Sequence, residues 1–139
     1  MAIATAAAAP LQRGDQVTRR RLFVILAGAA AAASIWAVAV GLFGVQLLVR
    51  FGSGAPQAIG LGFVLPAGLI APLLAWALLA YLERRTRRAR TLWTRIALTV
   101  LVVSFALPLG AGITTSAKIA LVAMHIAVGS VVILGLRRS

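Results

Sequence analysis

Cysteine is absent from all 139 residues. That one absence excludes disulfides, thiolate nucleophiles, thiolate metal sites and quinone-linked thiol oxidation. Acidic residues are almost as scarce. Asp15 and Glu83 are the two in the chain, and neither lies within an apolar run. Ion-coupled carriers normally place a carboxylate inside the membrane, so the lack of one weighs against proton- or sodium-coupled transport. Histidine occurs once, at His125. A single imidazole with no other strong ligand cannot complete a haem or metal site, so no cofactor and no metal are expected. Charged residues of both signs make up 12% of the chain, about half the usual share of a soluble domain.

What is present is apolar and basic. The apolar fraction is 62% and the mean hydropathy +1.03, which makes a water-soluble fold untenable. Thirteen arginines and Lys118 oppose the two acids, giving a net charge of +12. Such a balance can mark a nucleic-acid partner. Here the arginines gather between long apolar runs instead of along one exposed face, so the lipid bilayer is the expected partner and nucleic acid is not.

Residues 1–18 mix Ala, Pro10, Gly14 and polar groups without periodicity and read as a flexible tail. Residues 19–139 form one membrane domain with apolar runs at about 22–49, 58–82, 92–110 and 117–136. A helix needs about 20 apolar residues to cross a hydrocarbon core of roughly 30 Å. The expected fold is therefore all-α, a polytopic membrane protein with four transmembrane helices in an antiparallel bundle. Basic residues before the first run also suggest a signal peptide, with Ala31 to Ala33 as cleavage site. The run continues to Val49 and no soluble cargo follows, so it reads as a retained span.

Orientation follows from the arginines. Four precede the first run, six stand between the second and third runs or just inside the third, and two follow the fourth. Only Arg50 and Lys118 fall on the other side. Twelve against two predicts both termini in the cytoplasm and a multi-pass protein of the inner membrane. In the arginine-rich connection, Glu83 and Arg87 are four apart in the favourable order for a helical ion pair, which predicts that the second helix extends past the membrane. The same arginines can meet anionic lipid heads. On the far side, Thr114, Thr115 or Ser116 is expected to cap the fourth helix.

The candidate polar or ligand site rests on His125, Lys118, Arg50 and Gln46. Gln46 and Arg50 are four apart at the outer end of the first helix and share a face. With Lys118 they would form a small basic and amide cluster able to hold a phosphate or carboxylate. Lys118 alone reads as a snorkelling lysine. His125 either hydrogen-bonds a neighbouring helix or relays a proton. No catalytic residues are expected. Gly60, Gly62, Pro66, Gly68 and Pro72 interrupt the second helix, as at some transporter sites, although both residue types are ordinary in membrane helices. Gly28, Ala32, Gly41, Gly44, Ala71 and Ala75 suit close helix packing. On the fourth helix, Ala120, Ala123, Ala127 and Ser130 make a small-residue stripe that would suit a second copy or a membrane protein partner.

Two resemblances bear on this. Small multidrug exporters share the four-helix size but depend on an acid in the first helix, where this chain offers only Ser34 and Gln46, so the likeness stops at helix count. The segments Arg20-Arg21-Leu22, Gly44 to Arg50, Leu82 to Arg90, Thr114 to Lys118 and Met124-His125, in that order over about residues 19–137, resemble a family of small uncharacterised four-helix membrane proteins of high-GC Gram-positive bacteria. That resemblance implies the fold and no activity. The expected role is a non-enzymatic interaction or accessory component of the inner membrane, the alternative being a carrier or binder of a small anionic or lipidic molecule.

Overall fold

A computed structural model describes the backbone from Ile3 to Arg138 and the side chains from Gly14 to Arg138. Helix α1 spans Ile3–Trp36 and passes into a π-helical turn over Ala37–Leu42. A two-stranded hairpin follows, β1 at Leu48–Val49 and β2 at Gln57–Ala58. Helices α2 (Leu61–Arg85), α3 (Ala89–Ser104), α4 (Ala106–Ala111) and α5 (Thr115–Arg137) complete the chain. Among the described residues, four stretches are long and apolar enough to cross a membrane: Gly14–Leu42, Leu61–Arg85, Ala89–Ala111 and Thr115–Arg137.

The first span differs most from the sequence reading. Helix begins at Ile3, inside the segment read as a flexible tail, in keeping with the high helix propensity of its many alanines. It stops at Leu42 rather than Val49. Gly44 adopts φ +62°, a left-handed conformation that L side chains rarely take, and this ends the helix. The Val45 N–H closes back onto the Ala39 carbonyl at 2.9 Å. Beyond Gly44 the backbone is extended, and Leu48 pairs with Ala58 and Val49 with Gln57. The residues before Ile113 cover the other edge of β1. The Arg50 N–H donates to Ala111 O at 2.8 Å and the Ile113 N–H to Leu48 O at 3.1 Å. Extended backbone next to lipid is tolerable because these pairings satisfy it.

Helix α2 starts at Leu61, three residues later than expected, and runs unbroken through Pro66 and Pro72. Its glycine and proline serve packing. A Cβ on Gly68 would lie 3.1 Å from Ala29 Cα, and one on Gly28 would lie 3.2 Å from Pro72 Cγ. Of the small residues expected to pack, Gly28 and Ala32 of α1 therefore meet α2, whereas Gly41 and Gly44 beyond α1 face open space. The third span is interrupted at Phe105, where Pro108 lacks the N–H that would bond Ser104. Thr114 caps α5 by accepting the Ala117 N–H at 3.1 Å, as the sequence allowed.

Helix α1 packs mainly on α2 and α5, and α3 closes the ring by touching both. Two cores result. One, at the arginine-rich end, gathers Val24, Leu79, Trp93, Val132 and Leu136. The other, at the hairpin end, packs Leu47 and Val49 on Ala117, Leu121 and Met124. Only 11% of the apolar window of the third span is buried, against 33% for the first. The third span is thus the peripheral one, and the bundle is loosest beside it.

Candidate functional site

That looseness leaves a crevice at the hairpin end. Two adjoining cavities, of about 200 and 290 Å³, share Ile59, Phe63, Ala67, Leu121 and His125. Ala32 of α1 and Ala71 of α2 line the smaller one, where small side chains leave room that leucines would fill. Leu107 and Pro108 of α4 and the hairpin residues Val49 and Phe51 line the other. Every lining side chain is apolar except His125.

His125 is half-buried, and its Nδ1 lies 2.7 Å from the Leu121 carbonyl, one turn earlier in its own helix. The sequence reading of a bond to a neighbouring helix is corrected here: the i−4 carbonyl is simply nearer. Because a carbonyl only accepts, Nδ1 carries the proton of this bond. In the neutral ring Nε2 is then left as an acceptor. A hydrogen-bond acceptor in an apolar recess is poorly matched to an anion. It is well matched to a hydroxyl on an otherwise apolar molecule.

Gln46 and Arg50 flank strand β1 instead of standing on the first helix. They therefore do not share a helical face. Leu47 and Val49 turn inward, and Gln46 and Arg50 are exposed on the opposite parity. The Leu48 N–H bonds the Gln46 carbonyl at 2.9 Å, so the chain turns tightly at Leu47 before it enters β1. Lys118 stands near them through the backbone: Arg50 N–H bonds Ala111 O, and a Cβ on the next residue, Gly112, would lie 2.7 Å from Lys118 Cγ. The lysine lines a separate shallow apolar cavity with Leu109, Ile119, Val122 and Ala123, apart from His125. Of the small-residue stripe, Ala120 is buried, Ala123 and Ala127 are half-buried and Ser130 is exposed.

Glu83 is also placed differently from expectation. Helix α2 ends at Arg85, so Arg87 is off the helix, and Glu83 accepts instead from Arg21 of α1 at 2.7 Å. Of Arg19, Arg20 and Arg21, only Arg21 is buried. Triplet composition could not single it out; its position three residues before Val24, which is in the core, could have. Among the described residues, no group of three potential metal ligands converges.

Comparison with known proteins adds one result. Residues 12–139 match the family of unknown function DUF6069. The chain belongs to that family. No curated protein and no solved structure matches. Membership in DUF6069 agrees with the expectation of an uncharacterised family. It says nothing of activity, so the functional argument rests on the crevice.

Proposed function

We propose that this member of DUF6069 is a non-enzymatic component of a bacterial inner membrane that binds a neutral, hydroxyl-bearing lipidic molecule in the crevice beside His125. The observation that carries the reading is one imidazole acceptor set among wholly apolar walls between α2, α4 and α5. Of the two roles the sequence leaves open, this geometry favours the binder over a bare accessory subunit. Twelve of fourteen basic residues at one end support a cytoplasmic location for that end and for both termini. Catalysis has little to draw on, since His125 has no nucleophile or second titratable group beside it in the crevice lining. Contact with a partner through α5 is a second reading, favoured by exposed Ile119 and Ile126 flanking Ala123.

The test uses the full chain in phosphatidylcholine nanodiscs and follows thermal unfolding with a long-chain alcohol or its methyl ether. The alcohol donates a hydrogen bond and the ether does not. One such bond is worth about 1 kcal/mol, so the alcohol should bind roughly fivefold tighter. His125→Leu should erase that preference without lowering stability by itself, because the imidazole bonds only its own helix. Equal shifts for alcohol and ether, or an unchanged preference in the variant, reject the reading.

A further inference from the structure

At the opposite end of the bundle, Arg90, Thr91, Thr94, Arg95 and Arg137 line an open depression of about 330 Å³ between the start of α3 and the end of α5. A second depression of about 300 Å³ adjoins it, shares Arg90 and Thr91, and adds Arg87 and Arg88. No acid lines the first. Glu83 lines the second, but its carboxylate is engaged by Arg21 at 2.7 Å.

The helix makes this concentration of charge more unusual. The N-terminus of α3 is the positive end of its macrodipole, a place that favours acids and disfavours cations. Yet α3 has no acid in its first turn and no side-chain cap, and Arg88 is its N-cap residue. Arginines thus crowd an end that already carries positive charge. Arg95 adds a further, exposed cation more than a turn into the candidate span Ala89–Ala111. Positive-inside signalling accounts for arginines in the connection. It does not require three of them, from two helices, to line one recess with two threonines.

Guanidinium forks, hydroxyls and a helix N-terminus together form a phosphate-binding set. Basic pockets between membrane helices hold the heads of anionic lipids. We propose that the recess between α3 and α5 binds a phosphate group, with the headgroup of an anionic phospholipid in the adjacent leaflet as its source. Arg95 and Arg137 grip the phosphate from the two helices, Arg90 adds charge, and Thr91 offers a hydroxyl. This site lies at the other end of the bundle from the His125 crevice and does not depend on it.

The experiment compares wild type with R95Q/R137Q and with R20Q/R84Q, which removes equal charge from two equally exposed arginines outside both depressions. The full chain is held in phosphatidylcholine nanodiscs with or without phosphatidylglycerol, and lipid retained on the protein is measured by native mass spectrometry. A parallel arm titrates inorganic pyrophosphate into the phosphatidylcholine discs. R95Q/R137Q should weaken phosphatidylglycerol retention roughly tenfold more than R20Q/R84Q, with pyrophosphate inactive. R95K/R137K keeps the charge but not the fork, and should fall between wild type and the glutamine pair, which separates a bound phosphate from a misfolded variant. Pyrophosphate binding that R95Q/R137Q abolishes, without preference for phosphatidylglycerol, supports the phosphate site and replaces the lipid by a soluble source. Equal losses in both glutamine pairs mean diffuse attraction and overturn the site, as does the absence of binding in every arm.

Discussion

Arg21 Nη2 lies 2.7 Å from Glu83 Oε1 and fastens the middle of α1 to the last turn of α2. The arginine side chain is 8% exposed and the carboxylate 33%. Removing one partner of a fully buried pair costs about 3–5 kcal/mol. Water reaches Glu83, so Glu83→Gln should cost less, about 1–2 kcal/mol. Unfolding in detergent, with the charge-exchanged R21E/E83R, gives the measurement. The exchanged pair should recover more than half of the loss, and coincident unfolding of Glu83→Gln and wild type would show that the pair contributes nothing.

Two glycines of α5 should respond differently to alanine. At Gly135 a Cβ would fall 2.4 Å from Val24 Cγ2 and 3.2 Å from its Cβ. Val24 is buried and β-branched, so it has no rotamer to escape into. At Gly129 the nearest atoms are the Leu101 methyls, at 2.6 and 2.9 Å, at the end of a half-buried flexible side chain. Gly135→Ala should destabilise by about 2–3 kcal/mol. Gly129→Ala should stay within about 1 kcal/mol, because gained helix propensity offsets the strain. The reverse ranking in thermal unfolding would contradict the α1–α5 seam.

Trp36 ties the hairpin to the bundle, its indole N–H donating to the Ile59 carbonyl at 2.9 Å. Trp36→Phe keeps the ring and deletes the donor, a loss of about 1 kcal/mol. Hydrogen exchange should accelerate roughly fivefold at the amides of Ile59 and Val49, leaving those near Trp93 unchanged. Uniform acceleration would mean that the indole supports the whole bundle instead.

Orientation is open to a direct measurement, because the absence of cysteine leaves no background labelling. Ser53 is exposed in the turn between β1 and β2, and Arg87 is exposed between α2 and α3. In intact cells an impermeant maleimide should label Ser53→Cys and spare Arg87→Cys. Labelling of Arg87→Cys alone would invert the proposed topology.

Much of the fold was legible because hydropathy and span length are local. Whether about 20 residues prefer lipid to water depends on those residues alone, so the four spans could be counted along the chain. The Thr114 cap was legible for the same reason. The end of the first helix was not. Val45 to Val49 is apolar enough to continue a span, and only pairing with Gln57, Ala58 and Gly112 makes it a strand. The signals present were Gly44 and the alternation of Gln46 and Arg50 with Leu47 and Val49. Both are weak against a continuous apolar run.

The sequence by itself determined that this chain lives in a membrane, how many spans it has and which end is basic. Each is a sum over residues interacting with solvent or lipid. The tertiary structure decided that Glu83 meets Arg21 rather than Arg87, that Gln46 and Arg50 flank a strand rather than share a helix, and that His125 borders an apolar crevice. It also brought Arg95 and Arg137, 42 residues apart in sequence, to one recess. These are pairwise facts fixed by which helices touch and where backbone groups find partners. No reading along a single chain contains them.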